Sequence, residues 1–172
     1  MSKKFPFFIL FAMLLSCKGE SPKTVDQKQT NSEIVQTLNY QELKPLLEKQ
    51  DGKNYVVNFW ATWCAPCVKE LPYFEALASK YSDKNIEVLL VSLDFPKQKD
   101  TRLLPFMKKK NIKSKVVLLD DMNEDVWIKA ISEEWSGALP ATLFYNANNR
   151  KFYEQSFTEE ELHKELENFL NL

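Results

Sequence analysis

Glycine is scarce in this chain, with three in 172 residues, at positions 19, 52 and 137. The elements must therefore be joined by few glycine turns. Histidine is scarcer still, since His163 stands alone. Cysteine occurs only at Cys17, Cys64 and Cys67. A zinc centre commonly takes two close cysteine pairs, or cysteine with histidine. One close pair and one distant histidine do not supply that set, so no metal site is expected. No apolar run reaches the roughly 20 residues that span a bilayer as a helix. Neither sign of charge dominates: 23 basic against 24 acidic residues leave a net −1. Nucleic acid and anionic membrane surfaces are thus not expected as partners. What is abundant is apolar material, 44% of residues with 13% aromatic, which is the composition of a globular domain.

Lys3 and Lys4 precede an apolar run from Phe5 to Leu15, which suits the h-region of a signal peptide. The run closes in Leu14-Leu15-Ser16-Cys17, which resembles the lipobox of bacterial lipoproteins. That resemblance implies cleavage before Cys17 and lipidation of its sulfur; the alternative is an ordinary signal peptide with Cys17 incidental. Residues 1–16 are thus expected to be a signal peptide. Residues 17–32, polar after the cysteine, are expected to be the lipidated Cys17 and a flexible tether. Residues 33–172 are left for one folded domain, extracytoplasmic and held at the membrane by the lipid anchor.

Strand and helix patterns alternate through that domain. Strands are predicted over Ile34–Leu38, Tyr55–Trp60, Ile86–Leu93, Val116–Leu119, Ala141–Tyr145 and Lys151–Gln155. Helices are predicted over Tyr40–Gln50, from the cysteine pair to about Tyr81 with a kink at Pro72, over Thr101–Lys110 and over Glu124–Ser132. Val126, Trp127 and Ile131 should face inward from the last of these. The final helix carries a full start signal, with Thr158 as N-cap and Glu161 completing a capping box. Trp60 reads as core, Trp127 and Trp135 as core or groove packing, and His163 as a solvated flank. The alternation implies an α/β domain with an antiparallel hairpin near its end.

The chemistry centres on Trp63-Cys64-Ala65-Pro66-Cys67, placed between a buried strand and a helix. Such a pair can switch between dithiol and disulfide. Cys64 would lie at the helix N-terminus, where unpaired amides and the dipole favour a thiolate, and would be the exposed nucleophile. Cys67, one turn in, would be more buried and would resolve a mixed disulfide. Ala65-Pro66 places no charged side chain between them, which favours a reductant with a potential of roughly −270 to −200 mV.

The run from Phe59 to Cys67 is similar to the active-site signature of the thioredoxin superfamily. Its continuation Val68-Lys69-Glu70-Leu71-Pro72 resembles the membrane-anchored TlpA/ResA-like branch. The resemblance implies a thioredoxin fold: a central mixed β-sheet flanked by helices, with residues 95–119 as an extra helix-strand insertion. It implies that Pro140, after Leu139, is the family's cis-proline facing the cysteine pair, although Ala141 stands where thioredoxins more often have threonine. Lacking an N–H, Pro140 would leave the Leu139 backbone free to pair with substrate, beside contacts from Trp63, Ala65 and Pro66. Glu70 matches an acid of this branch, able to take the proton of the resolving thiol, while Asn58 stands where thioredoxins bury an aspartate.

The expected activity is therefore thiol–disulfide exchange on a disulfide-containing client protein, with Cys64, Cys67 and Glu70 as its catalytic residues. No dissociable cofactor is expected. An upstream membrane thiol reductase would have to restore the dithiol. The resemblance suggests apocytochrome c, in cytochrome c maturation, or another periplasmic thiol protein as client. An oxidase or isomerase of the same fold, a peroxidase and a noncatalytic binding lipoprotein are the competing readings.

Overall fold

The structure is a computed structural model that describes residues 35–172, together with Met1. The expected signal peptide, Cys17 and the tether lie outside the described residues. Among the described residues, six strands form one sheet in the order β1-β4-β3-β2-β5-β6. They are β1 (Gln36–Leu38), β2 (Asn54–Trp60), β3 (Ile86–Ser92), β4 (Lys115–Leu119), β5 (Ala141–Tyr145) and β6 (Arg150–Tyr153). The first four pair in parallel, while β5 runs antiparallel to β2 and β6 to β5. This is the mixed sheet the sequence implies, ending in the expected hairpin.

β2 lies inside the sheet, so both of its faces must be covered. Val56 and Trp60 point to one side, and Tyr55, Val57 and Phe59 to the other. The first side is covered by three helices: α2 (Ala65–Lys80), α3 (Leu104–Lys110) and α5 (Glu159–Leu170). Leu71, Phe74 and Leu77 of α2, Met107 of α3 and Leu162, Leu166 and Phe169 of α5 fill that core. The second side is covered by α1 (Tyr40–Leu43) and α4 (Glu124–Ile131), through Tyr40, Leu43, Trp127 and Ile131, with Trp135 beside them. The period-two alternation of β2 sends Asn58 to the same side as α2, which matters for the site.

Several boundaries differ from the pattern. The helix expected to reach Gln50 stops at Leu43 and passes into a 3₁₀ turn over Lys44–Leu46. Pro45 has no N–H to continue the helical ladder, and its ring crowds the carbonyl a turn earlier. The helix expected from Thr101 becomes regular only at Leu104; before it, Lys99–Leu103 form a π turn. Pro105 cannot donate into that turn, which closes instead from the Leu104 N–H to the Lys99 carbonyl. Val126 points outward, because its neighbour Trp127 takes the inward position on a helix of two turns. His163 is buried rather than solvated, its Nδ1 lying 3.1 Å from the Tyr81 hydroxyl. The capping box at Thr158 forms as expected, with the Thr158 N–H donating to Glu161 and the Glu161 N–H to Thr158 Oγ1. No described helix is long and apolar enough to cross a membrane.

Candidate active site

The chain leaves β2 at Trp60, turns through residues 61–63 and enters α2 with Cys64 as N-cap. Cys64 is extended, at φ −86° and ψ 100°, and its Sγ accepts from the Cys67 N–H at 3.3 Å. Pro66 occupies the first turn, where no N–H is needed. The two sulfurs are joined in a disulfide with their Cα atoms 5.3 Å apart. Cys67 is completely buried, while Cys64 retains 7% exposure. Cys67 is the more buried, as expected, but Cys64 is buried as well rather than exposed, covered by the groove walls around the oxidised pair. In the dithiol state the amides at the start of α2 would favour a thiolate at Cys64.

On the inner side of the pair, Glu70 is 1% exposed. Its Oε1 accepts from Asn58 Nδ2 at 3.0 Å. Its Oε2 accepts from the Phe157 N–H at 2.8 Å and from the Ser156 hydroxyl at 3.3 Å. Asn58 also donates to Thr142 Oγ1 at 3.2 Å. One carboxylate therefore ties α2 to β2, to β5 through Asn58, and to the segment leading into α5. Burial pushes the Glu70 pKa above the ordinary glutamate value, and the three donors oppose that rise without cancelling it. Glu70 is thus a buried carboxyl with a raised pKa, three residues after Cys67 on the same helix.

On the outer side, the disulfide opens into a groove of about 830 Å³. Trp63, Ala65, Pro66 and Leu139, four residues singled out from the sequence, line it with Cys64. Pro140 is buried behind them, and the Leu139–Pro140 peptide bond is cis. The loop before it is held in place. Trp135 Nε1 donates to the Ala138 carbonyl at 2.9 Å, and Glu154 accepts from the N–H groups of Ser136 and Ala138 at 3.0 and 3.1 Å. Gly137 has φ +94°, a conformation that favours glycine, and a side chain there would also press on Ile128 Cδ1 at 3.0 Å.

Asp94 is the element that sequence reasoning missed. It is 2% exposed and receives the Thr62 N–H at 3.1 Å, the Thr62 hydroxyl at 2.5 Å and the Ser92 hydroxyl at 2.9 Å. The end of β3 is thereby clamped to the turn that presents Cys64. The available signal was the pair Ser92 and Asp94 at the end of an apolar strand, a spacing that favours a side-chain turn. Its partner Thr62, 32 residues earlier, carried no local hint. Among the described residues, no three histidine, cysteine, aspartate or glutamate side chains converge to hold a metal ion.

Residues 27–150, more than half of the chain, match the AhpC/TSA family. A thiol-disulfide oxidoreductase ResA from Oceanobacillus iheyensis is 38% identical over 76 residues, 44% of this chain and 36% of the relative. A ResA from Bacillus thuringiensis strain Al Hakam is 32% identical over 124 residues, 72% of this chain and 65% of the relative. The chain thus spans less than two thirds of the length of either. Among solved structures, a DsbF homologue from Corynebacterium diphtheriae superposes with a TM-score of 0.56 at 20% identity, covering 68% of this chain and 72% of that one. That likeness establishes the thioredoxin-like fold. The chain belongs to the AhpC/TSA family of the thioredoxin superfamily.

Proposed function

We propose that this AhpC/TSA-family chain is an extracytoplasmic thiol–disulfide oxidoreductase, tethered to the membrane through Cys17, that reduces disulfides in client proteins. The observation that carries the reading is the Cys64–Cys67 pair at the start of α2, with an open groove at Cys64 and the buried Glu70 on the Cys67 side. The name thiol-disulfide oxidoreductase borne by the ResA relatives supports it.

In the dithiol form, the Cys64 thiolate attacks one sulfur of a client disulfide. The Cys64–client bond forms, the client S–S bond breaks, and the first client sulfur leaves as a thiolate that takes a proton from solvent. Glu70 then accepts the Cys67 proton, and the Cys67 sulfur attacks Cys64 Sγ. The internal disulfide closes, the second client sulfur leaves, and the proton passes to it. Two electrons move from the cysteine pair to the client, and the pair itself serves as the redox centre without a dissociable cofactor. Leu139, held beside cis-Pro140, offers backbone to an extended client strand across the groove. An upstream membrane thiol reductase returns the two electrons. Apocytochrome c is the client class that the resemblance favours.

Equilibration in glutathione or dithiothreitol buffers, with dithiol and disulfide quantified by alkylation, tests the direction. The expected potential lies at roughly −270 to −200 mV; a value near about −120 mV would make the chain an oxidant and overturn the reductant reading.

A further inference from the structure

The groove beside Cys64 has an uneven chemistry. Its walls carry four carboxylates, Asp94, Asp120, Asp121 and Glu124, and neither lysine nor arginine among the described residues. Two of the four are engaged within the molecule. Asp94 clamps Thr62 and Ser92, and Asp121 accepts from the N–H groups of Tyr40 and Asn123 at 3.0 and 2.9 Å. Asp120 and Glu124 are exposed, and neither pairs with a cation among the described residues. The same groove carries large exposed apolar side chains: Met122 at 96%, Phe95 at 62% and Trp63 at 49%. Such a concentration of apolar surface around a reactive group marks a binding face rather than ordinary scatter.

We propose that the groove takes an extended client segment whose disulfide is flanked by lysine or arginine. The inference rests on the oxidoreductase reading and names the substrate class of that site. A lysine or arginine lays its methylene stem along Trp63, Phe95 or Met122 while its head reaches Asp120 or Glu124. Its charge also gains from the face of the Trp63 indole. An acidic segment would bring like charges together at the rim, and a neutral one would forgo the attraction. Trp63 and Met122 supply contact area that adapts to sequence, so charge rather than shape does the sorting.

The test uses the full-length chain in its dithiol form and three otherwise identical peptide disulfides, their cysteines flanked by lysine, glutamine or glutamate. Second-order rate constants for disulfide reduction are measured at about 20 mM and about 500 mM salt, which brackets weak and strong screening. The lysine peptide should react about tenfold faster than the glutamate peptide at low salt. The ratio should fall toward one at high salt, where the Debye length shrinks to a few ångströms. The double reversal Asp120→Lys/Glu124→Lys should invert it. Equal rates for the two charged peptides at low salt, or an unchanged ratio in the double variant, would overturn the proposal while leaving the oxidoreductase reading standing. Failure to reduce the glutamine peptide as well would overturn that reading itself.

Discussion

The two sides of the Cys64–Cys67 disulfide are built from opposite materials. On the Cys64 side lie an open groove, three exposed apolar side chains and carboxylates at the rim. On the Cys67 side the sulfur is wholly buried, and a single carboxyl, Glu70, is fixed by donors from Asn58, Ser156 and Phe157. The contrast separates two tasks that thiol exchange requires. The attacking sulfur must meet varied partners, which needs access and tolerance of sequence. In the proposed cycle the resolving sulfur must lose a proton, for which the fixed, buried Glu70 is the proposed acceptor.

The separation can be broken most sharply at Glu70. Glu70→Gln keeps an acceptor for the Phe157 N–H but removes the proposed proton acceptor. Resolution of a preformed mixed disulfide should slow about 100-fold at neutral pH, followed by quenched-flow alkylation, while the first attack by Cys64 changes little. The substitution also bears on stability. Because the native pKa of Glu70 is raised, its contribution is fully present below about pH 4.5 and is lost as pH rises through the native value. Chemical denaturation across that range should show the native chain losing stability relative to the Glu70→Gln variant as pH increases.

A smaller disturbance on the same side is Asn58→Asp. It replaces the donor 3.0 Å from Glu70 Oε1 with a second carboxylate. One proton of the resulting pair should be held more tightly, so the pH midpoint of the resolution step moves upward, by about a unit or more, as for other close carboxylates. A downward shift would contradict the account.

On the open side the effects should be milder. Trp63→Ala removes an exposed wall, so reduction of a peptide disulfide should slow about fivefold, within the usual cost of losing an aromatic contact. Resolution within the preformed mixed disulfide should be unaffected, which is the converse of the Glu70 result. Smallest of all is an effect remote from the site. Burial, with help from Lys80, holds the His163 pKa below its usual value. Its contribution is present above about pH 6.5 and is lost as pH falls through the lower native value. His163→Phe should flatten that acid-side loss in thermal melts.

How much of this the chain reveals in advance follows the distance over which each contact acts. The Thr158–Glu161 capping box spans three residues and was legible. So were the strand–cysteine–helix order and the inequality of the two sulfurs, because a helix N-terminus is a local feature. Glu70 was found through its resemblance, but its anchor Phe157 is 87 residues away and nothing local announced it. The Asp94 clamp was missed for the same reason. His163 reads as solvated from its place on the flank of the last helix, but it packs against the Tyr81 hydroxyl, 82 residues earlier. The truncation of α1 shows the opposite failure. Pro45 is a local signal, and its place as the sixth residue of the expected helix was enough to end it.

The division between the two sulfurs is tested most directly by trapping. Cys67→Ala and Cys64→Ala forms of the full-length chain are each treated with a peptide disulfide, and adducts are located by mass spectrometry. The account predicts a stable mixed disulfide on Cys64 in the first variant and almost none on Cys67 in the second. Comparable adducts on both sulfurs, or an adduct only on Cys67, would contradict it.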